Sequence, residues 1–147
     1  MKKDFVIRGQ TASGETEILE FGGYKEGYAY RLTEFEIYPS TGIGSNNDEM
    51  AASISAGKTA VDPTVPNFNN EGLIATAFAS QYSSPAYPPG DRSIINDTFL
   101  ITQNLLLKVQ NTDSGTPVNW QCRFVSEKMT DAAAAVTNFR QFSIFDE

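Results

Sequence analysis

Histidine is absent from the 147 residues, and that absence removes the commonest general acid/base and the commonest ligand for zinc, copper and non-haem iron. Ser-His and Cys-His nucleophile systems cannot be built. The single cysteine, Cys122, excludes an intrachain disulfide framework, which fits folding in a reducing cytoplasm. Bases are scarce: 11 Lys and Arg face 18 Asp and Glu, for a net charge of -7, and apart from Lys2-Lys3 they are scattered singly. With no basic stripe to displace phosphate counterions, direct nucleic-acid binding is not expected. No apolar run approaches the roughly 18 to 20 residues that a membrane-crossing helix needs, so membrane insertion is not expected either. The opening Met1-Lys2-Lys3 does not lead into an apolar leader, because Asp4, Arg8 and Gln10 interrupt it.

What is present is enough for one core. Hydrophobic residues make up 40% of the chain and aromatic residues 12%, too apolar for a disordered segment and the right length for a single domain over 1–147. No internal repeat is visible.

The dominant pattern is period-two alternation between clusters of Gly, Pro, Asn and Ser, the mark of half-buried strands. Phe5 and Ile7 alternate with charged residues, and Gln10 to Gly14 then supplies loop residues before Glu15 to Phe21, which predicts a hairpin. Gly22-Gly23 and Gly27 turn the chain into Tyr28 to Tyr38. There the parity switches: Tyr28, Tyr30 and Leu32 share one face, Phe35 and Ile37 the other. A β-bulge near Thr33-Glu34 would bring both sets inward. Met50, Ala52, Ile54 and Ala56 mark a further strand. Gly72 to Ser80 has Ile74, Thr76 and Phe78 on one face and Leu73, Ala75, Ala77 and Ala79 on the other, so either could be core, and a short helix is an alternative. The clearest alternation runs through Phe99, Ile101, Leu105, Leu107 and Val109, then through Val118, Trp120, Cys122 and Phe124 after the turn-rich stretch from Asn111 to Pro117. These side chains are expected to meet across two stacked sheets.

One short C-terminal helix is predicted over Asp131 to Arg140, capped by Thr130 and rich in alanine. Beyond it Phe142, Ile144 and Phe145 are too apolar for a free tail, which ties this end to the domain or to a partner. The prolines in Thr59 to Asn70 and Gln81 to Arg92 make those stretches loops. Seven to nine strands at this spacing predict an all-β fold, an antiparallel two-sheet β-sandwich, with loop lengths that suit a jelly roll.

Candidate chemistry is sparse. Glu34, Glu36, Asp48 and Glu49 are the acids to test for paired-carboxylate glycosidase chemistry, which needs no histidine; solvent exposure on a strand is the ordinary reading of Glu34 and Glu36. Asn46-Asn47-Asp48-Glu49 offers oxygen atoms but lacks the spacing of a calcium loop. Gly42-Ile43-Gly44 lacks the residues of a phosphate loop. Asn96-Asp97-Thr98 matches a glycosylation acceptor, a pattern too short to carry weight. Cys122, on the Trp120 and Phe124 face, reads as a small buried hydrophobe. No catalytic residue, cofactor site or metal site is expected. The contact candidates are Phe68, Tyr82 and Tyr87, apolar side chains on long loops that would serve either a subunit interface or sugar stacking.

The succession of Ala29 to Pro39, Asp97 to Gln110 and Pro117 to Lys128, closing in the Ala-rich Asp131 to Gln141, resembles the small single-jelly-roll structural proteins of icosahedral bacteriophage particles. That resemblance implies a non-enzymatic capsid, decoration, vertex or spike component of the virion, made in the host cytoplasm. Its partners would be other copies of itself and other virion proteins, with no cofactor. The alternative is a carbohydrate- or receptor-binding β-sandwich module, whose partner would be a host-surface glycan.

Overall fold

Wherever one side of an alternating stretch finds a core to cover, the chain forms a strand. The computed structural model describes residues 3–21 and 27–129. Within them lie β1 (Lys3–Thr11), β2 (Thr16–Leu19), β3 (Tyr28–Pro39), β4 (Asp48–Ser55), β5 (Leu73–Gln81), β6 (Gly90–Ile95), β7 (Leu105–Asn111) and β8 (Val118–Lys128). All pairings are antiparallel. They build a three-stranded sheet, β1-β8-β3, and a five-stranded sheet, β2-β7-β4-β5-β6. The fold is the expected all-β, two-sheet sandwich. The helix predicted over Asp131 to Arg140 lies outside the described residues, as do Gly22 and Gly23.

The pairing is nested: first strand with eighth, second with seventh, fourth with fifth. Nesting of this kind is what a long antiparallel ribbon folded over on itself produces. The third and sixth strands form no ladder with each other. β6 stays bonded to β5 and meets β3 where the Ser93 hydroxyl donates to the Phe35 carbonyl.

The core lies where β7 and β8 face each other from opposite sheets. Leu105, Leu107 and Val109 on one side and Val118, Cys122 and Phe124 on the other are fully buried. Each large side chain among them contributes about 1.5–3 kcal/mol before conformational entropy is subtracted. Aromatic rings close one end: Phe5 stacks on Phe124 with centroids 5.6 Å apart, and Phe21 meets Phe124 edge-on at 5.0 Å.

In β3 the register skips between Leu32 and Glu34, leaving Thr33 as the extra residue of a bulge. Leu32, Phe35 and Ile37 thereby all turn inward, as the change of parity requires.

Three expectations need correction. β1 and β2 are not a hairpin; they belong to different sheets, and the turn at Gly14 (φ 86°) carries the chain from one to the other. Turn residues specify that a chain reverses, not which strand it rejoins, and here β8 offers β1 a nine-residue ladder. The loop expected to run from Gln81 to Arg92 ends earlier, because Gly90, Asp91 and Arg92 open β6. Phe99 and Ile101 precede β7 instead of extending it; Ile101 is buried and exchanges two backbone hydrogen bonds with Tyr30. The ambiguous alanine-rich stretch is strand β5, with its alanines inward.

Candidate functional site

Small residues on the inner face of β5 leave its largest side chain outside. Ala75, Ala77 and Ala79 are buried against the core, whereas Phe78 is 51% exposed on the opposite face. The ladder sets Phe78 between Ala51 of β4 and Arg92 of β6, and Thr76 between Ser53 and Ile94. A low floor of Ala51 and Thr76 therefore lies beside two protruding apolar side chains, Phe78 and Ile94.

The loop after β4 builds one wall. The Ser53 hydroxyl donates to the Val61 carbonyl at 2.6 Å, which lays the loop over β4 and buries Ser53. From there the loop holds itself by short-range bonds. Asp62 Oδ1 accepts from the backbone and hydroxyl of Thr64, Asn67 Oδ1 from the Asn69 amide, and Asn70 Oδ1 from the Gly72 amide. Side-chain acceptors of this kind replace the ladder bonds that a loop lacks. The Thr64 bonds, backbone first, hold the Asp62 carboxyl below its ordinary pKa. The result is a fixed ridge of Pro63, Thr64, Pro66 and Phe68 along a groove of about 570 Å³.

Tyr82 ends the groove. Its hydroxyl donates to Glu49 Oε1 at 2.9 Å, and this bond is the main reason that its own pKa is raised. Tyr87 leans on the Tyr82 ring with centroids 5.7 Å apart. Of the three contact residues expected from sequence, Phe68 and Tyr82 thus line one groove, and Tyr87 braces Tyr82 from outside the lining. The sequence does not mark Phe78 and Ile94 as contacts. The signal for Phe78 was the run of alanines at the opposite parity, which can line a tight core only if the larger side chains face away.

The four acids considered for glycosidase chemistry are dispersed. Glu34 and Glu36 stand on the outer face of the three-stranded sheet, where Glu34 pairs with Arg123 at 3.3 Å. Glu49 stands on the outer face of the other sheet, separated from them by a sandwich about 10 Å between sheets. Asp48 points inward and is fully buried. It accepts hydrogen bonds from Thr41 (2.7 Å), Asn111 (2.9 Å) and Ser114 (2.6 Å), and also from the Gln81 amide. Burial opposes its ionisation, yet these donors together outweigh burial and hold the carboxyl well below the ordinary carboxylate range. Its work is to clasp the β3–β4 and β7–β8 connections to β5. No two of these acids face each other across a cleft.

The Asn46 to Glu49 stretch divides in the same way, since Asn47 accepts from Ser83 while Asp48 turns inside. Among the described residues no group of three His, Cys, Asp or Glu gathers where it could hold a metal ion. Asn96 Oδ1 is engaged by the Thr98 amide and hydroxyl in a tight local turn. Cys122 is enclosed, and burial pushes its thiol up to about 12. What the groove offers is apolar contact, with Glu49 and Arg92 at its margins. Compared with known proteins, the chain matches no protein-family model, and no curated protein matches it in sequence.

Proposed function

We propose that this chain is a non-enzymatic structural subunit of a virus particle, a capsid, decoration or vertex component that works by symmetric association with its own copies and with other virion proteins. The observation that carries the proposal is the apolar groove itself. Phe68, Phe78 and Ile94, exposed by 60%, 51% and 44%, surround one depression on a rigid sheet. Large apolar side chains clustered in water favour an interface, whose centre typically gains aromatics and loses charge. The nested strand pairing is compatible with the resemblance to phage structural proteins. Light scattering and native mass spectrometry across a concentration series test the reading. Concentration-dependent assembly with defined symmetry is expected; a stable monomer that does not associate with particles overturns it.

Binding of a carbohydrate or a receptor is the second reading, favoured by the Tyr82–Tyr87 pair. Tyr82 also borders a second depression of about 460 Å³ that includes Tyr38 and Ile43, so tyrosine faces are available for stacking against a sugar ring. Titration against a polysaccharide panel separates the two, and uniform absence of binding removes this one.

A further inference from the structure

Four strands border the two sheets, and three of them carry some protection against a new neighbour. β2 has four residues, β3 is bent by its bulge at Thr33, and β6 is tied to β3 through Ser93 and Phe35. Short, bulged or covered strands are the usual defences against edge-to-edge pairing. β1 has none of them. Its nine residues follow β8 without a register shift, and none is proline. Among the described residues it pairs with β8 alone, and no backbone hydrogen bond outside that ladder uses a residue of β1. Every second residue therefore turns its N–H and C=O away from β8. We propose that β1 pairs antiparallel with β1 of a second copy about a two-fold axis at Val6, so that two three-stranded sheets join into one. The proposal rests on the self-association reading and names a contact separate from the apolar groove.

The outer side chains fit this register. A two-fold axis normal to the sheet keeps each face continuous, so residues opposite each other share a parity. Centring on Val6 sets Asp4 against Arg8 of the second copy, twice, and Val6 against its own counterpart. All three are exposed on the outer face. Within one chain Asp4 and Arg8 are about 13 Å apart along the strand, and neither forms an ion pair among the described residues. Opposite charges facing each other across strands are favourable, and like charges are not. Other registers lose the match. Centring on Phe5 or Ile7 sets Val6 against Asp4 or Arg8, and centring on Asp4 or Arg8 opposes like charges.

The inner face gains as well. Phe5 and Ile7 are half-buried at the border of the core. The same register places Phe5 of each copy against Ile7 of the other, so the two cores meet across the axis and each covers the other's margin.

The test uses the full-length chain. Asp4→Arg brings guanidinium groups together across the axis, and Arg8→Asp brings carboxylates together. Each change is expected to weaken association about tenfold or more in sedimentation equilibrium at low salt. A one-to-one mixture of the two variants should restore it, because every opposed pair then unites unlike charges. One chain carrying both changes should restore it too. Circular dichroism and a melt check that each variant folds. Association at wild-type strength in both single variants, or a mixture that stays apart, overturns the β1 contact and leaves the assembly reading standing. A wild-type monomer overturns both. Should a charge variant fail to fold, Val6→Cys replaces it. Directly opposite Cα atoms lie about 4.5–5.5 Å apart, within disulfide reach, and the native Cys122 is buried. Mild oxidation is expected to give a covalent dimer with Val6→Cys and not with Arg8→Cys, whose counterparts are about 13 Å apart along the strands. No cross-link at position 6, or equal cross-linking at both positions, overturns the contact.

Discussion

Gly9 stands opposite Trp120 in the β1–β8 ladder, so close that a Cβ on Gly9 would lie 2.8 Å from Trp120 Cζ2. The indole cannot easily swing clear, because its Nε1 donates to Thr11 Oγ1 at 2.9 Å two residues farther along the same strand. Gly9→Ala is therefore expected to destabilise the fold by about 1–3 kcal/mol through overpacking. Urea denaturation should show a lower midpoint with an unchanged slope. An Ala variant as stable as the parent would mean that the ring has room to move.

Asp48 predicts an acid response. Its carboxyl titrates lower in the fold than in the unfolded chain, so its ionised form stabilises the protein above the unfolded value. That contribution is lost as pH falls through the folded value. Stability should accordingly decline below about pH 4, the range in which an unfolded aspartate begins to take up its proton. Asp48→Asn should flatten that decline while lowering stability at neutral pH. Asp48→Ala, which strands the donors on Gln81, Asn111 and Ser114, should cost about 3 kcal/mol. Urea titrations at pH 7 and at several values below 4 decide it; an unchanged acid slope in Asp48→Asn rules out the assignment.

Cys122 should be chemically silent. A thiol pushed up to about 12 and closed off by the core presents neither thiolate nor access. A chromogenic disulfide reagent at pH 8 should give no signal with the native protein and one equivalent after denaturation. Rapid native labelling would show that the sheets part more readily than the packing implies.

Thr33 matters by its presence more than by its side chain. Its side chain is exposed and its hydroxyl makes one bond, to the Arg123 carbonyl at 3.2 Å, so Thr33→Ala should cost under about 1 kcal/mol. Deleting the residue removes the bulge and sends either Leu32 or the pair Phe35 and Ile37 to the outer face. The deletion variant is expected not to fold, as judged by loss of near-ultraviolet dichroism. Cooperative unfolding like the parent's would contradict the role given to the bulge.

The bulge could be foreseen because burial leaves its mark on parity, and a change of parity in β3 has few physical remedies. β8 was plain for the same reason: Val118, Trp120, Cys122 and Phe124 all face one core. β6 carried no such mark. Its residues, Gly90 to Ile95, lie at the edge of a sheet and are mostly exposed, so no alternation was imposed on them. The supposed β1–β2 hairpin misled because strand pairing is a property of the assembled sheet, and a glycine turn is equally compatible with staying or crossing. At the groove, Phe68 and Tyr82 stood out as apolar side chains among loop residues. Ile94 did not, because its significance comes from lying beside Thr76 and Phe78, neighbours that only the ladder supplies.

Nested pairing also governs how such a chain comes into being. Thr11 and Trp120 are 109 residues apart, and among the described residues β1 pairs with β8 alone. During synthesis the first strand leaves the ribosome long before its mate exists, and Phe5 and Ile7 wait without a lid. Closure of the smaller sheet must be a late event, slowed by the non-local contact it requires. Until then the nascent protein exposes sticky edges that a holding chaperone would recognise.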